Sequence, residues 1–409
     1  MTHHGDQSGV NRTSPVPNAV PGPEAGTAAA TATLPAGRDR YLDTLRALAL
    51  ARVVAFHSFS GAVWLTLVFP SMGVMFALAG SLMARSLARP AVGVLKSRTR
   101  RLLFPLWVYA LTVLALLFTA GWRPWEEDVS WLQVALWFVP LGDPPFPENA
   151  ATNDLVVDSS WGFQAEEILW YIRAYFWFML LSPLLLRAFR RFPWPTLLAP
   201  LVLITALTLE NVILPEWANS TVTDFATFGS CWLLGFAHSG GYLRRLRLPV
   251  VVLLGLGLMA LGFEWAATHL GEEGWDLNAI PLAQALWSLG FCAVLLRLSP
   301  VWTPQPAQPG LQRPRALRIV DSTVTLMNNR AVTIYLWHNL LLVAAVPLID
   351  LAWENPTLSE SVPWLLESEW LLFLMAWPLL GLTILSVGWV EDLGARRKPV
   401  LWPAGLVKG

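Results

Sequence analysis

Arg244-Arg245-Leu246-Arg247-Leu248-Pro249 leads into Val250 to Ala267, VVVLLGLGLMALGFEWAA, and the chain then reaches Glu272, Glu273 and Asp276. Glu264 is the one charge in that apolar run. As a helix the run is about 27 Å long, close to the roughly 30 Å of a bilayer's hydrocarbon core. Arginines stand before it and acids after it, so it reads as a transmembrane helix whose first end is cytoplasmic.

The same pattern recurs to either side. Apolar segments of spanning length are Leu42 to Trp64, Leu67 to Ala88, Leu102 to Ala120, Ile168 to Leu186 and Thr196 to Leu214 before or beside it, with Phe225 to Tyr242 just upstream. Ile280 to Leu296, Ala331 to Trp353 and Trp370 to Val390 follow. Phe225 to Tyr242 is the weakest, since it holds His238 and the pair Gly240-Gly241. Trp131 to Leu141 is too short to span and suits the interface. The expected fold is therefore all-α, a polytopic membrane bundle of about ten transmembrane helices. Composition agrees: 55% of residues are hydrophobic and 14% charged, against about a quarter charged in soluble domains.

Alternate loops carry opposite charge. Segments placed inside hold Arg85, Arg89, Lys96, Arg98, Arg100 and Arg101, then Arg187, Arg190 and Arg191, then Arg244, Arg245 and Arg247. Arg297, Arg313, Arg315, Arg318 and Arg330 follow, and finally Arg396, Arg397, Lys398 and Lys408. In the loops placed outside Arg123 is the single basic residue, among Glu126, Glu127, Asp128, Glu216, Glu272, Glu273, Asp276 and Glu360. The positive-inside rule then puts both termini in the cytoplasm and the bundle in a cell's inner (plasma) membrane. The net charge of zero conceals this asymmetry, and nothing suggests nucleic-acid binding.

The chain divides into a tail over residues 1–37, rich in Pro, Ala, Thr and Gly and expected to be disordered, a membrane domain over 38–392, and a cytoplasmic tail over 393–409. The two cysteines, Cys231 and Cys292, both fall in predicted spans. No disulfide pattern and no metal site is expected from them. Tryptophans at span ends, such as Trp64, Trp122, Trp353 and Trp370, read as headgroup anchors.

Function is sought in the polar groups a bilayer disfavours. The first span contains Arg46, Arg52 and His57. Arg46 and His57 are eleven residues apart, three turns with about 20° left over, so they share a face roughly 16 Å apart and suit one cavity. The plainer reading of such a His is a hydrogen bond between helices. Arg98 and Arg101 share a helical face at the inner start of the third span, where guanidinium forks can grip phosphate. Orientation and anionic lipid headgroups would demand basic residues there in any case. Tyr335 and His338 lie three apart on one face, with cavity lining and helix packing both open. Glu166 and Arg173, flanking Trp170, suggest an ion pair that fixes the fourth span, and Glu264 has no evident partner.

Together these residues resemble acyltransferase family 3, integral membrane enzymes that O-acylate sugars and other hydroxyl compounds. The resemblance covers roughly Arg40 to Val390. Arg46 and His57 with ten residues between them match the family's first-helix motif, and Arg98-Thr99-Arg100-Arg101 followed by Pro105 matches its Arg-x-x-Arg motif. Met75-Phe76-Ala77-Leu78-Ala79-Gly80 is similar to its small-residue motif, Leu169-Trp170-Tyr171-Ile172 to its aromatic motif, and Ile334-Tyr335-Leu336-Trp337-His338 to that of its penultimate helix.

The resemblance implies that acyl-CoA, acetyl-CoA included, is a cytoplasmic co-substrate whose phosphates meet Arg98 and Arg101, with no cofactor held by the protein. His57 would be the general base on an acceptor hydroxyl, with Arg46 assisting either the developing oxyanion or the donor. Direct transfer and an acyl-histidine intermediate both stay open. Tyr335, His338, Trp170 and Glu166 would line the cavity. A glycan or glycolipid of the envelope is the first acceptor class, a secondary metabolite the next, and the loop from Gly121 to Glu167 is where selectivity is expected. Two other classes compete: a transporter or exporter of a polar metabolite, and a second kind of membrane acyltransferase built around His338-Asn339. Broken helices at matching places in two halves would mark the former, and neither has its signature in this chain.

Overall fold

The computed structural model describes residues 39–59, 62–147, 160–210, 212–272, 274–300 and 314–403. The expected tail over 1–37, residues 148–159 of the long outer loop, Glu273, Arg313 and Lys408 lie outside the described residues. Among the described residues the chain is helical and forms no strand, only an isolated bridge between Gly271 and Gly274.

Each predicted span corresponds to a helix. They are α1 (Arg40–Ser58), α2 (Ser71–Ser86), α3 (Ala91–Thr119), α4 (Leu169–Arg191), α5 (Pro193–Leu209), α6 (Glu216–Ser239), α7 (Leu248–Thr268) and α8 (Pro281–Arg297). After α9 (Arg315–Asn329) come α10 (Ala331–Trp353), α11 (Glu369–Val387) and a last short turn, α12 (Val390–Gly394). Among the described residues, six helical stretches are long and apolar enough to cross a membrane: Ala62–Ser86, Ala91–Thr119, Trp161–Arg191, Leu248–Thr268, Ala331–Trp353 and Glu369–Val387. The remaining four expected spans fall short for two different reasons. α5 and α8 are apolar but have 17 residues each, about 25 Å of helix. α1 and α6 are long enough, at 19 and 24 residues, but carry polar side chains, and several of these belong to the cavities described below. An unexpected helix is α9, inside a segment read as a loop, with Leu317, Ile319 and Val320 exposed.

α2 is the centre of the bundle and packs on α1, α4, α6 and α8. Its stretch from Ser71 to Ser81 is buried throughout, which a helix achieves only when neighbours surround it. The small-residue motif explains how. A Cβ at Gly80 would run into the Trp232 carbonyl oxygen, and one at Gly235 on α6 would meet the Ala77 carbonyl, so the two backbones touch without side chains between them. His238, which weakened the prediction of α6, bridges Ser81 Oγ (3.0 Å) and Ser299 Oγ (3.1 Å). The Gly pair is the helix stop, because Gly241 takes a φ of +73°. α7 shows the opposite face of the same chemistry: it packs on α8 and turns Leu253, Leu254, Leu256 and Leu261 outward.

Polar clamps tie the basic end of the bundle. Arg40 donates to Thr325 Oγ1 (3.2 Å) and pairs with Asp321, while Asn328 Nδ2 reaches the Asp43 carbonyl (2.8 Å). Arg330, counted above among the loop cations, is wholly buried and pairs with Asp392 at 2.8 Å. Its guanidinium also donates to the Val400 carbonyl, and Arg100 Nε donates to the Gly394 carbonyl (2.8 Å). The first residues of the expected C-terminal tail are thus fastened to α3 and α10.

Candidate active site

Two cavities enter the bundle from opposite ends. The larger, of about 920 Å³, opens at the end that carries the basic loops. Six guanidinium groups line it, from Arg46, Arg85, Arg89, Arg98, Arg101 and Arg397, and Glu391 is the carboxylate in its wall. Such an excess of positive charge attracts a polyanion, and the planar forks match phosphate oxygens. The arginines are not equivalent. Arg98 is a brace, donating to Tyr175 Oη (3.2 Å), the Leu82 carbonyl (3.1 Å) and Ser86 Oγ (2.9 Å), which joins α2, α3 and α4. Arg46 has no hydrogen-bonded or ion-paired partner among the described residues, and Arg101 is exposed to the cavity mouth. Glu391 Oε1 accepts from Thr333 N (2.8 Å) and Thr333 Oγ1 (2.6 Å). Burial, with help from Asp392, pushes its carboxyl up to about 7, against the pull of the Thr333 hydrogen bonds and the Arg330 charge. Burial raises Asp392 too, but the hydrogen bonds from Arg330 and the Val400 amide, with the charges of Arg330 and Arg397, hold it below its ordinary range.

The smaller cavity, of about 270 Å³, opens toward exposed Asn278 at the other end. His57 lines it with Arg52, Glu167, Asp224, Thr227 and Gln284, beside an aromatic wall of Trp170 stacked on Phe228 at 5.5 Å between ring centres. The Arg52 guanidinium lies over the Phe56 ring, 4.8 Å from its centre. His338 stands behind His57, with ring centres 5.1 Å apart. Its Nδ1 is 2.6 Å from the Tyr335 carbonyl oxygen. A carbonyl only accepts, so Nδ1 carries the proton and Nε2 holds a bare lone pair, buried and without a partner among the described residues. The imidazole of His57 thus stands between the His338 ring and the cavity.

Tyr335 lines both cavities. Its hydroxyl donates to the Ile168 carbonyl (2.8 Å), and its ring packs 4.8 Å from that of Tyr171. This aromatic partition divides the one cavity expected for Arg46 and His57 into two, with Arg46 in the basic chamber beside Arg98 and Arg101 and His57 in the other. The shared helical face of the two residues holds, but 16 Å along the helix leaves room for a wall. Two further expectations are corrected. His338 lines neither cavity and stands behind His57. Glu166 lines neither, and its neighbour Glu167 takes that place. The expected Glu166–Arg173 pair does not form, because the Arg173 guanidinium is taken by two other carboxylates. Arg173 pairs instead with Asp143 and, at 2.6 Å, with Asp224, tying the long loop before α4 to α4 and α6. Glu264 is exposed on α7, away from both cavities, and nothing in the structure explains it.

Several lining residues were passed over in the sequence. Asp224, Thr227 and Gln284 sit in or beside predicted spans, where their polar side chains are the signal that could have found them. Glu391 belongs to an acidic pair within an otherwise basic segment, a break in pattern that could have singled it out.

A protein-family model described as an acyltransferase domain matches residues 39–390. Comparison with curated proteins and with solved structures gives no match.

Proposed function

The chain belongs to acyltransferase family 3, and from that premise we propose that it carries an acyl group from acyl-CoA across the bundle to an acceptor hydroxyl. The observation that carries this reading is the pair of cavities meeting at Tyr335, one rich in arginine and the other lined by His57. The CoA phosphates bind Arg101, Arg98 and their neighbours at the cytoplasmic end, and the thioester lies toward the aromatic partition. Arg46, on the donor's side of that partition, binds the donor or steadies the thioester oxygen as negative charge develops on it.

The acceptor enters from the outer end. Its hydroxyl oxygen attacks the thioester carbon while the proton passes to the free nitrogen of His57, which an imidazole can accept near neutral pH. The carbon–sulfur bond then breaks, and His57 returns the proton to the departing thiolate. His338, its ring centre 5.1 Å from that of His57, packs behind it and keeps the ring turned toward the acceptor, a positioning role. In this reading the six long apolar helices cross the plasma membrane together with the shorter or more polar α1, α5, α6 and α8, and both ends are cytoplasmic. The acceptor is a glycan, a glycolipid or a hydroxylated metabolite. An exporter would not need a base backed by a second imidazole beside an aromatic partition, and the family match favours acyl transfer.

Mass spectrometry of envelope glycans and small metabolites from cells with and without the gene tests the proposal. Loss of a mass equal to one acyl unit names donor and acceptor together. An unchanged acyl inventory, with a polar metabolite retained in the mutant cells, would favour the exporter.

A further inference from the structure

The polar groups of the smaller cavity are unusual in what they lack. Thr227 and Gln284 are 4% and 2% exposed, and both line it. Thr227 Oγ1, Gln284 Oε1 and Arg52 Nε are buried with no hydrogen-bond partner. Leaving such groups unmade costs about 1–3 kcal/mol each, and folding alone gives no reason to keep three of them around one space. Thr227 Oγ1 and Gln284 Oε1 are both buried, so reaching a ligand requires a change of rotamer at Thr227 or Gln284.

The chemistry of the set is restrictive. Arg52 Nε–H needs an acceptor, Gln284 Oε1 needs a donor, and Thr227 Oγ1 can serve as either. A hydroxyl supplies both roles, whereas a carboxylate or phosphate cannot donate to Gln284. The Glu167 carboxylate stands in the same wall, beside Asp224 with its Arg173 partner, and repels an anion, and Arg52 repels a cation. The stacked Trp170 and Phe228 offer a flat apolar face, which suits a saturated ring whose hydroxyls lie round its edge. At about 270 Å³ the space falls below the roughly 300–1,000 Å³ of sites for drug-sized ligands. It has room for one pyranose-sized ring and not for two.

We propose that this cavity is an acceptor subsite for a single neutral polyhydroxylated ring, selected by Thr227 and Gln284 and closed to acidic sugars. The proposal rests on the acyltransferase reading for the word acceptor, and its test does not. Binding of radiolabelled methyl hexosides in the gluco, galacto, manno and rhamno series, and of methyl glucuronide and methyl galacturonide, is measured on the purified full chain in detergent, without acyl donor. At least one neutral glycoside is expected to bind, with each uronide weaker by ten-fold or more. Thr227→Val and Gln284→Leu should each weaken binding of that glycoside by five-fold or more while melting at or above the wild-type temperature. Removing an unpaired buried atom relieves the fold, whereas a merely structural role would lower the melting temperature. Equal binding of uronide and neutral glycoside, failure of all the neutral glycosides, or unchanged binding by both variants would overturn the subsite. Glycoside binding by a chain that transfers no acyl group would leave the subsite standing and sink the acyltransferase reading.

Discussion

The two cavities share α1, α2, α4 and α10 and differ in what they leave unsatisfied. The basic one gathers six arginines against one carboxylate, so its surplus is charge. The smaller one sets Arg52 against Glu167, with Asp224 already paired to Arg173, so charge nearly cancels and the surplus is hydrogen-bonding capacity. Surplus charge recognises a polyanion at long range and tolerates a loose fit. Surplus hydrogen-bonding capacity recognises a neutral partner at contact, where shape matters. A transferase with a highly charged donor and an uncharged acceptor needs both kinds of site, kept apart by a partition only one side chain thick.

The sharpest way to break this contrast is at the partition. His57→Ala is expected to lower acyl transfer by about 10²–10⁴-fold while the protein still inserts and accumulates, since a small polar group and not a packed core is lost. Transfer at the wild-type rate would return the base to His338. Next in size is Arg101→Ala, which should raise the Michaelis constant for acyl-CoA about ten-fold or more and leave that for the acceptor alone. Lysine should restore only part of it. Arg98→Ala should show the same split with an added loss of thermal stability, because Arg98 also braces Ser86, Leu82 and Tyr175. Equal effects on both Michaelis constants would mean that the chambers are not separate.

Sidedness gives a third test. A membrane-impermeant thiol reagent added to intact cells should modify Asn278→Cys at the mouth of the smaller cavity and spare Arg315→Cys at the basic end. The native Cys231 and Cys292 are buried and should stay silent. The reverse labelling would invert the orientation and put the arginines outside.

The smallest expected effect is a pH dependence confined to the basic chamber. Glu391 has a folded pKa of about 7, above its ordinary 4.5. Its stabilising contribution is therefore complete below about pH 4.5 and is lost as pH rises through 7, when the fold must hold a buried charge. Asp392 runs the other way, contributing above its ordinary range and losing that contribution as acid protonates it. Glu391→Gln should remove several degrees of the fall in melting temperature between pH 5 and 8. It should also flatten any decline of acyl-CoA affinity over that range and leave glycoside binding as it was.

Hydropathy and charge were enough to read an all-helical membrane protein and the end at which its arginines gather, because both depend on local composition against a bilayer of known thickness. The motifs around Arg46, His57 and Arg98, with the small-residue motif from Met75 to Gly80, were enough to suggest the family, while the close helix contact that Gly80 makes came only with the structure. Pairing across the bundle was not legible. Arg173 chose Asp143 and Asp224 over Glu166, Arg330 left the loop to meet Asp392, and Thr227 and Gln284 met around one space, all through contacts between residues far apart in the chain. Nor could helical periodicity foresee that Tyr335 would divide the face shared by Arg46 and His57. Periodicity orders side chains around one helix, whereas a wall between two cavities is made by what another helix inserts there.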